Sequence, residues 1–219
     1  FNKRTGLLAA CAVTFNPVLF IFSLEARAYE FLSLFTILSS YLFIRSILNS
    51  KFSTYILYFM SLSILINLHF FGFLILSAHL LCCILIYLKT NNLISIKFIV
   101  LSIFLSSLSY IPLIGLSLEI AGRGPTWIQA ESAFNFIQNT LVYFIFGSLF
   151  SINLINTMVG NILLIFLTLF FIYTFKRKFN FRYLLILCNF IFIFIFSYII
   201  GLTLNPIFNA RNAISFLPF

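Results

Sequence analysis

Long apolar runs separated by short polar connections make up almost the whole chain. The connections carry nearly every charged side chain, and the runs are continuously hydrophobic rather than alternating. A continuous run of about 20 apolar residues is typical of a membrane-crossing α-helix, whereas a strand of a membrane barrel alternates over about ten residues. The pattern predicts membrane helices over residues 5–24, 31–48, 54–68, 70–88, 98–118, 153–175 and 183–204.

The predicted fold class is therefore all-α, a polytopic transmembrane bundle of about seven membrane helices. Only His69 separates the third run from the fourth, so we expect a tight helical hairpin there. Pro17 follows Asn16 inside the first run and should kink that helix. We interpret residues 1–219 as a single domain that is incomplete at both ends, because no Met begins it and a new apolar run starts at its end.

Composition agrees with this class and excludes others. Of the 219 residues, 63% are hydrophobic and only 8% are charged, which is outside the range of soluble domains. The formal charge of +9 would indicate nucleic acid in a soluble protein, but here the basic residues lie in connections between apolar runs. They act as topology signals, and no nucleic-acid partner is expected. The four cysteines lie inside apolar runs and are interpreted as packing residues.

The distribution of basic residues also predicts how the chain is oriented in the membrane. Residues 134–150 are apolar on average, but if they crossed the membrane the Lys176–Lys178 cluster would lie outside, against the positive-inside bias. We therefore predict one interfacial helix on the outer face at residues 134–150. Ten of the 13 basic residues then lie inside, and three arginines lie outside. The outer loops would gather Arg27, Arg123, Arg211, His69, Glu25, Glu30, Glu119 and Glu131.

The segment Ser23–Glu30 lies between two long apolar runs and holds two of the four carboxylates in the chain together with Arg27. Ionisable groups that border hydrocarbon are costly and mark candidate functional sites. A simpler interpretation is a polar turn in which Arg27 reaches the lipid headgroups. His79 lies in the middle of an apolar run and is expected to be a packed histidine bonded to a neighbouring helix.

The order of several motifs resembles one family. Pro17, Ser-Leu-Glu-Ala-Arg-Ala-Tyr at 23–29, Leu-His-Phe-Phe-Gly at 68–72, Asn-Pro at 205–206 and Arg211 follow one another as in the GT-C superfamily of multi-pass membrane glycosyltransferases. Within it, the chain is most similar to the dolichyl-phosphate-mannose protein mannosyltransferases and the bacterial aminoarabinose transferases. The resemblance implies transfer of a sugar from a polyprenyl-phosphate-linked donor to a lipid, glycan or protein acceptor on the outer, periplasmic or luminal face.

The resemblance also implies roles for individual residues. Arg27 and His69 would bind the donor phosphate, Arg211 would do so less securely because Asn212 replaces the Tyr of the family motif, and Tyr29 and Trp127 would line the pocket. The family's acidic base has no counterpart here and would precede Phe1, so this segment alone is expected to be inactive. Glu25 and Glu30 are weak candidates for the base, with orienting Arg27 or ligating a metal as alternatives.

Some alternatives stay open at this level. No cofactor is certain, no metal-ligand cluster is visible, and a divalent cation at the phosphate is an option that the sequence does not decide. The expected location is an integral, multi-pass position in the bacterial cytoplasmic (inner) membrane, with the active site facing the periplasm. The main alternative function is a polytopic transporter or flippase for a lipid-linked or small solute, and a non-catalytic membrane subunit is a third.

The orientation yields a direct test. Because residues 134–150 are predicted not to cross the membrane, a cytoplasm-active reporter fused after Lys178 should be active in cells. A matched fusion after Trp127 should be inactive with that reporter and active with a periplasmic one. Activity of only the periplasmic reporter after Lys178 would show that residues 134–150 form a complete span.

Overall fold

The computed structural model describes residues 3–19, 29–90, 93–122 and 181–192, together with scattered positions between 141 and 199. These residues form helices and short connections without any β-strand, so the all-α prediction is confirmed for the described chain. The helices are α1 (Lys3–Thr14), α2 (Tyr29–Asn49), α3 (Phe52–Leu68), α4 (Gly72–Thr90), α5 (Leu93–Leu108), a 3-10 turn (Ile111–Leu113), α6 (Ile114–Gly122) and α7 (Phe181–Phe190).

Within the described residues, three helical segments are long and apolar enough to cross a membrane: Glu30–Asn49, Gly72–Thr90 and Ile96–Glu119. Helix α3 is apolar but shorter, at 17 residues. The predicted interfacial helix at 134–150 and the predicted span at 153–175 lie largely outside the described residues. The same holds for the second half of the predicted span at 183–204.

The core of the described chain is formed by α2, α3, α4 and α5, with α7 packed on α4. Helix α2 packs along α3, which follows it after a two-residue connection, and α5 runs parallel to α3. This arrangement brings Glu30 and His69 to one end of the bundle. The basic residues of this region, Arg45, Lys51, Lys89 and Lys97, lie toward the other end, as the alternation of predicted spans requires.

Serine hydroxyls join α5 to α3. Ser102 Oγ lies 3.4 Å from the carbonyl oxygen of Tyr55, and Ser106 Oγ lies 3.1 Å from that of Phe59. The two serines are four residues apart and therefore occupy one face of α5. Small side chains at this spacing let two helices approach closely, and their hydroxyl groups then donate hydrogen bonds across the interface.

The structure of the first apolar run, residues 5–24, differs from the predicted one where it is described. It was expected to form one kinked helix, but α1 ends at Thr14 and residues 17–19 are helical again. The side-chain oxygen of Asn16 accepts hydrogen bonds from the N–H groups of Val18 (2.9 Å) and Leu19 (3.3 Å). Asn16 is thus the N-cap of a new helical turn, and Pro17 occupies the first helical position, where its missing N–H costs nothing.

The run at 98–118 also contains a break. Helix α5 ends at Leu108, a turn follows at Ser109 and Tyr110, and the 3-10 turn that contains Pro112 leads into α6. Proline lacks the N–H that would continue the ladder of hydrogen bonds, so an interruption at this position is expected. The Tyr110 hydroxyl is hydrogen bonded to Ser117 Oγ across the break, which ties α6 to the end of α5.

The tight hairpin between α3 and α4 is confirmed, and Gly72 explains how it closes. A Cβ atom at Gly72 would lie 2.7 Å from both the Cα of Ile66 and the carbonyl oxygen of Leu65. Both are backbone atoms of α3, which cannot rotate away as a side chain could. The start of α4 can pack directly on the last turns of α3 only because residue 72 has no side chain.

Gly72→Ala should therefore destabilise the protein, by about 1–3 kcal/mol as overpacking usually does. Gly115→Ala is the matched control, because a Cβ there meets nothing within 4 Å and alanine is the better helix former. Thermal unfolding of the two purified variants in the same detergent checks this. Equal midpoints for the two variants would show that the hairpin tolerates a side chain at position 72.

Candidate functional site

His69 lies in the connection between α3 and α4 and organises it. Its backbone is extended, with φ −161° and ψ 142°, so the chain leaves α3 at this residue. Its carbonyl oxygen then accepts a hydrogen bond from the N–H of Gly72 at 2.8 Å. The imidazole stacks on the ring of Phe70, with centroids 4.8 Å apart, and also contacts the buried Phe71. The His-Phe-Phe-Gly sequence thus forms one compact turn.

A hydrogen bond to the backbone defines the protonation state of this ring. The N–H of Phe71 donates to His69 Nδ1 at 3.2 Å. A nitrogen that accepts a hydrogen bond carries no proton, so in the neutral ring the proton is on Nε2. The local turn therefore selects the tautomer in which His69 presents an N–H donor at Nε2.

Burial keeps this ring neutral. It lowers the pKa of His69 from 6.5 to about 4, because the imidazolium form loses hydration in its partly buried position. Protonation would also require Nδ1 to give up the hydrogen bond from Phe71. At neutral pH the His69 ring is accordingly uncharged.

Glu30 is the other predicted site residue whose side chain the structure describes. It is exposed in the first turn of α2, where a carboxylate interacts favourably with the helix dipole. It lies at the edge of a groove of about 310 Å³ between the end of α1 and α2, with Thr14 and Ser33 as polar neighbours. The groove is otherwise apolar and is placed at the same end of the bundle as His69.

The remaining predicted site residues belong to other parts of the chain. Glu25, Arg27, Trp127 and Arg211 lie outside the described residues, as does the side chain of Tyr29. Within the described ranges, no group of three or more His, Cys, Asp or Glu side chains is close enough to bind a metal ion. The prediction that Arg27 and His69 share one phosphate therefore stays a prediction.

A second polar cluster lies inside the bundle, around His79. Its Nε2 is 3.3 Å from Ser40 Oγ of α2, and its Nδ1 is 2.9 Å from the hydroxyl of Tyr58 of α3. Phe43 stacks on the imidazole, with ring centroids 4.6 Å apart and planes inclined by 19°. All four side chains are buried. The expectation that His79 bonds to a neighbouring helix is confirmed, and it bonds to two.

Neither partner of His79 was identified from the sequence. A neutral imidazole has one donor and one acceptor nitrogen, and a hydroxyl group can serve either. Tyr58 and Ser40 therefore satisfy the ring completely. The available signal was weak: Tyr58 and Ser40 are polar residues inside apolar runs, but such residues are common in this chain. Only the packing of α2, α3 and α4 brings these two to His79.

Comparisons with known proteins identify no relative. No protein-family model, no curated protein and no solved structure matches this chain. The class that the structure itself defines is an all-helical protein with at least three helices able to cross a membrane.

The His79 cluster generates a stability prediction. Tyr58→Phe should leave His79 Nδ1 without a partner in an apolar interior, at a cost of about 1–2 kcal/mol. Tyr41→Phe is the control, because it removes the same hydroxyl from an exposed tyrosine that accepts a hydrogen bond from Arg45 Nη1. Thermal unfolding in detergent should give a lower midpoint for Tyr58→Phe than for Tyr41→Phe. The reverse order would show that Tyr58 does not stabilise the three-helix contact.

Proposed function

We propose that this chain is part of a multi-pass membrane glycosyltransferase that transfers a sugar from a polyprenyl-phosphate-linked donor to an acceptor on the outer face of the membrane. The proposal rests on the resemblance of the motifs to the GT-C superfamily and on one structural observation. That observation is the turn at His69, where the Phe71 N–H occupies Nδ1 and so makes Nε2–H the donor.

The chemistry needs a donor of this kind. The acceptor oxygen attacks the anomeric carbon, the bond from that carbon to the phosphate oxygen breaks, and the acceptor's proton passes to a base. Negative charge grows on the departing phosphate, and an N–H held in place by the fold stabilises it without reorganisation. A neutral histidine supplies one such hydrogen bond over the whole physiological pH range.

In this proposal the other parts come mostly from residues outside the described ranges; Glu30 is the exception. Arg27 supplies positive charge and a two-pronged contact with phosphate oxygens, and Arg211 adds a second cation. Tyr29 and Trp127 line the pocket. The base is a carboxylate that precedes Phe1 or, less favourably, Glu25 or Glu30. The protein would lie in the bacterial inner membrane with this site toward the periplasm.

The bonding of His79 bears on the alternative, a transporter or flippase. Ionisable residues inside membrane helices often mark the path of a transported solute. His79 is such a residue, but both its nitrogens are bonded to neighbouring helices and its ring is stacked on Phe43. A transport site would have to break these contacts to use His79, so this residue does not mark a transport path.

Two substitutions of His69 separate its structural from its chemical role. The oxygen of asparagine can replace Nδ1 as the acceptor for Phe71 N–H, whereas the amide nitrogen of glutamine can reach the position of Nε2. We expect His69→Asn in the complete protein to keep the stability of the wild type but to lose transfer by about 10²-fold. His69→Gln should be less stable than His69→Asn but transfer faster.

The measurement is sugar transfer per mole of correctly inserted protein, with a radiolabelled polyprenyl-phosphate sugar. Thermal unfolding of the same samples provides the stability comparison. Because the pKa of His69 is lowered to about 4, its protonation should produce no inflection in the rate between about pH 6 and pH 8. Wild-type transfer by His69→Asn would mean that His69 only shapes the turn.

A further inference from the structure

Two lysines lie at the same end of the parallel helices α3 and α5. The alignment of these helices follows from the serine hydrogen bonds, in which Ser102 and Ser106 each contact the carbonyl group of the residue 47 positions earlier, in α3. The same offset places Lys97 beside Ser50, the residue before Lys51. Lys51 immediately precedes α3, and Lys97 lies in the second turn of α5. The two lysines are therefore at one level of the helix pair.

Contact between the two helices continues toward this end. The ring of Tyr55 packs on that of Phe98, with centroids 5.4 Å apart. Tyr55 lies one helical turn after Lys51, and Phe98 directly follows Lys97. Both lysines are exposed, although the helices that carry them are packed together. Two cationic side chains are thus available side by side at the surface.

No carboxylate in this part of the chain compensates the positive charge. Residues 31–118 contain no Asp or Glu but four basic residues, Arg45, Lys51, Lys89 and Lys97. The carboxylates that the structure describes are distant from them along the bundle. Glu30 lies in the first turn of α2, and Glu119 lies in α6, which follows the opposite end of α5.

The structure provides a partner or a favourable position for two of the four basic residues. Arg45 Nη1 donates to the hydroxyl of Tyr41 at 2.6 Å, and Lys89 lies in the last turn of α4, where the helix dipole favours a cation. Lys51 and Lys97 lie near the N-terminal ends of their helices, where the dipole gives no such stabilisation. Neither helix has an acidic residue in its first turn. This pair is therefore suited to an anionic ligand.

The exposed face of α5 indicates what kind of anion fits. Phe98, Leu101 and Leu105 are 42%, 49% and 43% exposed, and their spacing places them on one face of the helix. This apolar ridge begins next to Lys97 and continues along a segment long enough to cross a membrane. A free anion would contact only the lysines, whereas a lipid with a negative headgroup also covers the ridge with its hydrocarbon.

We propose that Lys51 and Lys97 form a binding site for an anionic phospholipid. The headgroup phosphate contacts both ammonium groups, and an acyl chain lies along Phe98, Leu101 and Leu105. The site is at the opposite end of the bundle from His69, and it does not depend on the proposed transfer reaction. Because the attraction is electrostatic and exposed, it should weaken as the salt concentration increases.

The test uses a phosphatidylglycerol that carries a photoreactive diazirine in one acyl chain, close to the glycerol. The full chain is reconstituted in phosphatidylcholine nanodiscs that contain a small fraction of this probe, and labelled peptides are mapped by mass spectrometry. We expect labelling at residues 98–105. Unlabelled phosphatidylglycerol should reduce it, whereas additional phosphatidylcholine or water-soluble glycerol phosphate should not.

Paired variants separate a local site from the general positive charge of this end. Lys51→Gln with Lys97→Gln should reduce labelling roughly 5- to 30-fold, because both contacts with the phosphate are lost. Arg45→Gln with Lys89→Gln is the matched control, since it removes the same charge from α2 and α4 and should have little effect. Lys51→Arg with Lys97→Arg should retain labelling, because a guanidinium group also binds phosphate.

Four results would overturn the proposal. Equal losses in the two Gln pairs would show that only the overall charge attracts the lipid. Wild-type labelling without Lys51 and Lys97, or labelling confined to peptides of other helices, would place the headgroup elsewhere. Equal competition by phosphatidylcholine would show that the negative charge is not recognised. Competition by glycerol phosphate would show that the lysines bind a soluble anion instead of a lipid.

Discussion

Polar groups inside an apolar helical bundle must find their hydrogen-bond partners within the chain, and this requirement accounts for much of the described structure. In a membrane interior an unsatisfied polar group costs several kcal/mol, because no water replaces the lost partner. Helix α3 forms such hydrogen bonds with three neighbouring helices, α2, α4 and α5. Tyr58 bonds to His79 of α4, the carbonyl oxygens of Tyr55 and Phe59 accept from α5, and the hydroxyl of Tyr55 reaches the carbonyl of Ser46 in α2 at 3.5 Å. Helix α3 is thus the central one of the four core helices.

The hydrogen bonds of the imidazole nitrogens also distinguish His69 from His79. Both belong to the α3–α4 hairpin, and both have an Nδ1 bonded at about 3 Å. At His79 both nitrogens bond to side chains of other helices, so the ring is completely used in holding α2, α3 and α4 together. At His69 the bond to Nδ1 is made by the backbone two residues later, so it shapes the turn and selects the tautomer. His79 is best explained by packing, whereas the hydrogen bond at His69 shapes a turn and sets the tautomer of the ring.

The sequence predicted the features that depend on local pattern. The all-α class, the α3–α4 hairpin and a packed His79 follow from apolar runs, a single polar residue between two of them and an isolated histidine. Asn16 and Pro17 were recognised as a disturbance, but whether proline kinks a helix or begins a new one depends on whether Asn16 folds back to cap it. Similarly, Tyr58 is one of ten tyrosines, and nothing in its neighbours along the chain distinguishes it as the partner of His79.

Gly72 has a packing role in the α3–α4 hairpin in addition to marking a turn. Glycine between two apolar runs usually indicates a flexible connection, but here the space around its Cα, rather than its backbone freedom, requires it. The short distance to Ile66 and Leu65 brings the start of α4 against the end of α3. His69 and Phe71 are thereby held in the geometry that places the Phe71 N–H at Nδ1. A chemical role for His69 would thus depend on a glycine three residues away.

The neutral state of His69 limits its role in the proposed reaction. A ring whose pKa is lowered to about 4 is no stronger as a base than an ordinary carboxylate, and its unprotonated nitrogen already accepts a hydrogen bond. It is therefore poorly suited to take the proton from an acceptor hydroxyl. It is well suited to donate through Nε2 to an oxygen on which charge is increasing, while an arginine supplies the compensating charge. In the proposed reaction the base would then have to be a carboxylate.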